Sequence, residues 1–196
     1  MLSNAYPLLC MLFILNATLL SAQYDYEPSV EHPFGQANPE APRAIKDFDL
    51  LIGECNCTST NRGPDGEWNE PEQMVWRWKY IMNGLAVQDE TLKADGGHSG
   101  SIRQYLEDEH GQGEWYVHYY SAKGPTATLP TWRGSKTEGG DIVLYREQAA
   151  PNGTEGFYRL TFHDISEKGY QWKGEWVSKD ESIVYPSWRI VCERLE

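Results

Sequence analysis

The sequence is poor in basic residues and holds almost nothing that reads as a long helix. Lysine and arginine total 17 against 29 aspartate and glutamate, for a formal net charge of −12. That balance excludes a nucleic-acid binder, which needs clustered cations against phosphate, and argues against docking on anionic lipid. Beyond residue 22 no apolar run is long enough to cross a bilayer as a helix. The usual catalytic signatures are missing too: no Gly-x-Ser-x-Gly elbow, no P-loop, no dinucleotide fingerprint and no His-Glu-x-x-His. The acidic residues are dispersed, with the densest run at Glu107-Asp108-Glu109, and serve solubility. Cys55-x-Cys57 has no nearby histidine or further cysteine to complete a four-ligand zinc set, so no metal is expected.

The one strongly apolar stretch is at the start. Leu8 to Leu20, followed by Leu20-Ser21-Ala22 before Gln23, has the length and shape of a secretory h-region. Residues 1–22 are therefore expected to be a signal peptide, Cys10 leaving with it. The mature chain is expected to be one domain, secreted or periplasmic, with no membrane attachment after signal removal. Three cysteines then remain, Cys55, Cys57 and Cys192. An exported protein keeps disulfides, and an odd count leaves one thiol free or paired between chains. Of two Asn-x-Ser/Thr sequons, Asn152 in a Pro-Asn-Gly turn is the reachable one, in a source that glycosylates; Asn56 falls inside a predicted strand.

Aromatic residues are abundant, and several fall on alternate positions: Met74-Trp76-Trp78-Tyr80, and Tyr170-Trp172 with Trp176. Residues 23–43 hold Pro28, Pro33, Pro39 and Pro42 with few apolar neighbours, and are expected to be a flexible segment. Ala44 to Ile52 fits one short helical turn with Ile45, Phe48, Leu51 and Ile52 on one face, a plug for one end of a barrel. The rest, to residue 196, reads as about nine to ten short strands punctuated by glycine turns. Asn83-Gly84 signals a two-residue hairpin, and Pro130 interrupts a strand over 126–136. Consecutive hairpins predict an all-β fold, an antiparallel up-and-down barrel, which also removes exposed edges.

Phe48-Asp49-Leu50-Leu51-Ile52-Gly53-Glu54 resembles the opening Phe-Asp-Phe-x-x-Gly-x-Trp of the DUF1579-type proteins, lipocalin-like barrels of the calycin group. The resemblance continues through Met82-Asn83-Gly84 with Asp89, Glu114-Trp115, Tyr119, Asp164-Ile165, Trp172, Trp188 and Arg194, covering residues 44–196. It implies a lipocalin-like barrel whose first and last strands are neighbours. Here Gly53-Glu54-Cys55 puts a cysteine where the family has tryptophan. With residue 55 opposite Arg194, residue 57 lies opposite Cys192. The resemblance thus implies a disulfide from Cys192 to Cys57, with Cys55 as the alternative partner. The Gly-x-Trp-x-Gly pattern of haem-binding barrels is absent, and no cofactor is expected.

A barrel interior is a container. Trp76, Trp78, Trp115, Tyr119, Trp172 and Trp188 are expected to line it, with His118 and Arg159 as polar groups that orient a ligand, Arg159 by fixing a carboxylate. Trp68 and Trp132, near loops, would mark a mouth or contact surface if exposed. The expected partner is a small apolar or aromatic molecule, with no catalytic residue assigned. Two other readings stay open: a barrel enzyme (isomerase, cyclase or hydrolase) using a lumen His or Tyr, and a structural protein whose barrel is filled.

Overall fold

The computed structural model describes residues 24–195. The expected signal peptide, residues 1–22 with Cys10, lies outside the described residues. A 3-10 helix, Arg43–Leu51, precedes ten strands: β1 Gly53–Asn61, β2 Glu72–Ile81, β3 Ala86–Lys93, β4 His98–Glu107, β5 Gly113–Ser121, β6 Thr131–Lys136, β7 Ile142–Glu147, β8 Gly156–Ser166, β9 Gly169–Ser178 and β10 Val184–Arg194. All neighbours are antiparallel, and β10 returns to β1 to close an up-and-down barrel. Closure satisfies the backbone groups that an open sheet would leave as edges.

The seam between β1 and β10 has the register expected from the sequence. Cys55 lies opposite Arg194 and Cys57 opposite Cys192. Cys57 and Cys192 are joined by a disulfide across 135 residues, and Cys55 is the buried free thiol. The Arg194 guanidinium reaches over the seam to the end of the 3-10 helix. Its Nη1 donates to the carbonyl of Ile52 (2.6 Å) and its Nη2 to that of Leu50. Gly53, at φ +117°, permits this: a Cβ there would stand 2.7 Å from Arg194 Nη1.

The helix is the expected plug. Ile45, Phe48 and Leu51 are buried, and the Phe48 ring stacks on Trp78 (5.6 Å between centroids) and meets Trp115 edge-on (4.9 Å). Two hydrogen bonds fix its rotation: Trp115 Nε1 donates to Asp47 Oδ2 (3.0 Å), and the Tyr80 hydroxyl donates to Asp49 Oδ1. Burial, then the Asp49 carboxylate, push the Tyr80 phenol far above its usual range, so it remains a donor.

Two local expectations are corrected. The β2–β3 turn is Met82–Leu85, four residues instead of two, with Met82, Asn83 and Gly84 all at positive φ. The Pro130 strand is shorter than 126–136, because β6 begins only at Thr131; the Pro130 carbonyl still accepts from Tyr119 N–H (3.0 Å). The segment expected to be flexible has no strand or helix over 24–42, and it is hydrogen-bonded to the end of β2 and to that same turn. Tyr80 N–H donates to the Phe34 carbonyl (2.8 Å), Asn38 N–H to that of Gly84 (3.1 Å), and Tyr26 N–H to Asn83 Oδ1 (3.1 Å). The polar, positive-φ turn leaves backbone groups free at the barrel end, and the proline-rich segment supplies their partners.

Replacing Cys57 and Cys192 together by alanine is expected to lower unfolding stability by about 4 kcal/mol, the loop-closure contribution of a bridge this long. Urea unfolding of the variant and the parent under non-reducing conditions measures it; equal midpoints would show that the bridge contributes nothing. Phe48→Ala is expected to cost roughly 3–5 kcal/mol through the cavity it leaves, read from the same transition.

Candidate functional site

Strand register decides which side chains enter the barrel. Starting from Trp76 and Trp78, the cross-strand pairs carry the interior face through Asp89, Ser101, Tyr119 and Val117 to Trp132, then Leu144, Leu160, Gly174 and Trp188, and back to Cys55 and Cys57. The interior splits into a solid half and a hollow half. At the plugged end Phe48, Trp78, Trp115, Phe162 and Tyr170 pack into one aromatic mass. Trp78 Nε1 is satisfied there by the Tyr170 hydroxyl (2.9 Å).

A buried ion pair sits on top of that mass. Arg103 and Asp89 are 2% and 3% exposed and bonded to each other. Trp76 Nε1 donates to the second carboxylate oxygen of Asp89 (2.7 Å). The Arg103 guanidinium lies 4.3 Å from the Trp78 ring centroid, a cation–π contact that offsets part of its desolvation. Its Nε has no partner.

Beyond the pair the barrel is open. One chamber of about 240 Å³ lies between Trp76, Asp89, Thr91, Ser99, Arg103, Trp172 and Ile190, and reaches the far rim at Lys93, His98 and Lys123. A second of about 270 Å³ lies between Val117, Trp132, Arg146, Gln148 and Tyr158, and shares Ser101, Tyr119, Leu160, Trp172 and Trp188 with the first. The space exists because small residues face large ones. Thr91, Ser99 and Ser101 stand where the floor carries Trp and Phe. Gly174 serves the wall instead: a Cβ there would lie 2.6 Å from the Tyr158 hydroxyl and 3.0 Å from the Trp172 ring, so its absence lets these two side chains pack over the strand. The wall is held by hydrogen bonds: Trp188 Nε1 to Ser59 Oγ (2.8 Å), Trp132 Nε1 to the Tyr158 carbonyl (3.1 Å), and Tyr158 Oη with Ser187 Oγ (2.9 Å). Burial pushes the Tyr158 phenol up, against the pull of its Ser187 hydrogen bond, so it stays protonated at neutral pH.

The expected site residues divide three ways. Trp76, Tyr119, Trp172 and Trp188 line the chambers. Trp78 and Trp115 point inward but are fully buried in the solid half. His118 and Arg159 are on the outer face, a correction to their placement in the lumen. His118 pairs with Thr131 (Nδ1 to Oγ1, 2.9 Å), and Arg159 is held by Glu175 (2.9 Å) and Glu181. The reason is alternation: the residues flanking Arg159, Tyr158 and Leu160, face in, so Arg159 faces out. Arg146 and Tyr158 are residues that sequence reasoning missed, and Trp132 was expected only as a mouth or contact residue if exposed. Trp132 is buried at 7% exposure and forms lumen wall. Trp68 is on the outside, stacked between Arg62 (4.7 Å) and Arg189 (4.5 Å). Among the described residues no three His, Cys, Asp or Glu are gathered so as to hold a metal, and no helix is long and apolar enough to cross a membrane.

Fold and site together define an up-and-down β-barrel with one end plugged and an aromatic-walled lumen toward the other. The chain is similar to the crystal structure of Rv2717c from M. tuberculosis, with a TM-score of 0.49 and 14% identity over 82% of this chain and 100% of that one. No family model matches the sequence, and no curated protein matches it.

Cys55 lies beneath the chambers, and burial raises its thiol pKa against the opposing charge of Arg194. A raised pKa lowers the thiolate fraction at neutral pH. Iodoacetamide at pH 7.5 is therefore expected to leave Cys55 unmodified in the folded protein and to alkylate it fully in denaturant, as read by peptide mass mapping. Alkylation of the native protein would show that the floor opens.

Proposed function

We propose that the protein is an exported barrel that binds a small, mostly apolar molecule in its lumen. The observation that carries this reading is the pair of adjoining chambers walled by Trp76, Tyr119, Trp132, Tyr158, Trp172 and Trp188. Flat rings at the walls, with the polar side chains gathered at the floor and rim, are what a site for an aromatic or aliphatic body needs. Export, to the periplasm or outside the cell, is supported by the apolar stretch before residue 23 and by the Cys57–Cys192 bridge, a bond that survives in oxidising compartments. The motif order from Phe48 to Arg194 supports membership of the DUF1579-type group.

Binding is favoured over catalysis by what lines the chambers. The interior Asp89 is engaged by Arg103 and Trp76, the Tyr158 phenol is held protonated against Ser187, and His118 is outside. None of these is a free base aimed into the space, as a proton-transfer enzyme requires.

Native mass spectrometry of protein purified from its own source, before and after mild denaturation, is the test. Release of a molecule of defined mass supports the reading. In reconstitution with that molecule, Trp172→Ala is expected to weaken binding about tenfold, from roughly 1.5 kcal/mol of lost apolar contact. His118→Ala and Arg159→Ala are expected to leave affinity unchanged. Loss of affinity in the two outer-face variants, with none in Trp172→Ala, would place the ligand outside the barrel.

A further inference from the structure

Three strand arginines share the interior phase: Arg103, Arg146 and Arg194. Two are neutralised or capped within the fold. Arg103 is paired with Asp89, and Arg194 donates to the carbonyls at the end of the 3-10 helix. Arg146 has neither. Among the described residues no carboxylate lies within 4.0 Å of it; Nη2 donates to Gln148 Oε1, and the guanidinium carbon lies 4.3 Å over the Trp132 ring. Both Trp132 and Gln148 are walls of the second chamber, as is Arg146 itself. A half-buried cation held flat against an aromatic wall, beside an apolar space and without a protein counter-ion, leaves its outer edge available to an anion in that space. Burial pulls its pKa down, only partly opposed by Tyr158, yet an arginine stays charged at any physiological pH.

We propose that the lumen ligand is a monoanion, an apolar body ending in one carboxylate, and that Arg146 receives the carboxylate. This rests on the lumen-binding reading above and sharpens it to a ligand class. The fork of a guanidinium matches the two oxygens of a carboxylate. A single cation balances one negative charge; a phosphate monoester carries nearly two and would leave the second without a partner. The body of the ligand would then lie toward Tyr119, Trp172 and Trp188, the residues common to both chambers.

The test is isothermal titration of the whole protein with 1-naphthaleneacetate and with its neutral isostere, 1-naphthaleneacetamide, in the parent and in Arg146→Gln. The acid is expected to bind at least about tenfold more tightly than the amide, since a desolvated charge-assisted pair is being formed. Arg146→Gln is expected to abolish that gap while amide affinity stays within about twofold, and the retained amide binding also shows that the variant is folded. Arg146→Lys is expected to keep part of the preference, having charge without the fork. Equal binding of acid and amide in the parent, or a gap that survives Arg146→Gln, would overturn the assignment of Arg146 and leave the lumen reading standing. Failure of both probes to bind the parent would overturn the lumen reading itself, and the ligand class with it.

Discussion

The seam between the first and last strands is the constraint on which the rest of this molecule depends. In an antiparallel barrel, the register at closure fixes the facing of every side chain, because a slip of one residue would turn each strand inside out. Here the disulfide clamps Cys57 opposite Cys192, and Arg194 ties the same corner to the plug helix two residues on. With that corner set, Trp188 and Ile190 must face in, then Trp172, Phe162 and Leu160 across the next two strands. The lumen wall is therefore specified at the seam, beside the first chamber, which Met74 and Ile190 line. The free energy of the bridge acts on the unfolded chain, whereas its effect on the site is geometric.

Closure alone would give a filled barrel. What hollows it is a fall in side-chain size along the interior phase of two strands. On β3 and β4 the inward residues run from Val87 and Arg103 at the floor, through Asp89 and Ser101, to Thr91 and Ser99 toward the rim. On β9 the inward residues are Tyr170, Trp172, Gly174 and Trp176, so that side keeps an aromatic wall. The aromatic mass on Phe48 carries the packing energy at one end, and the small residues leave the other end unoccupied by protein. Stability and ligand space are thus assigned to different halves of one barrel, and the buried Arg103–Asp89 pair marks the boundary between them.

Much of this was legible in the sequence. About nine to ten segments of alternating residues separated by glycine turns, and an amphipathic turn with Phe48 at its centre, are local signals; the bridge, between cysteines 135 residues apart in sequence, was implied only by the family resemblance. The local signals match β1 to β10 and the plug closely. The site was legible only in part. Trp76, Tyr119, Trp172 and Trp188 lie on strands with one clearly apolar face. Arg146 does not: Ile142, Val143, Leu144 and Tyr145 precede it on β7, apolar on both phases, and nothing in that run says which side is in. Arg159 shows the converse. Its neighbours Tyr158 and Leu160 are both apolar, so period-two alternation already turns it outward; the outer-face carboxylates Glu175 and Glu181 confirm that reading but are 16 and 22 residues away in sequence. Whether the barrel is hollow is a sum over all ten strands, and no single stretch of sequence contains it.

The contrast between the two central arginines shows how a shared environment yields different roles. Both Arg103 and Arg146 enter an aromatic interior, and each lies 4.3 Å from the centroid of a tryptophan ring. The cation–π term is then common to both, and the difference lies in the counter-charge. Arg103 has Asp89 on the adjacent strand, carried to it by the β3–β4 register, and the pair is closed off from water at 2% and 3% exposure. Such a pair orders the floor and is costly to break singly, since the remaining partner would be buried uncompensated. Around Arg146 the interior residues are Tyr158, opposite it on β8, and Leu144, two residues earlier on its own strand, neither of them a carboxylate. Its hydrogen-bond partner, Gln148, has an amide that lowers the cost of a half-buried cation without cancelling its charge. A fold that supplied an internal acid at one arginine and withheld it at the other has left its unpaired cation where the chambers are, and under the carboxylate proposal that cation, more than the aromatic wall, would sort one apolar ligand from another.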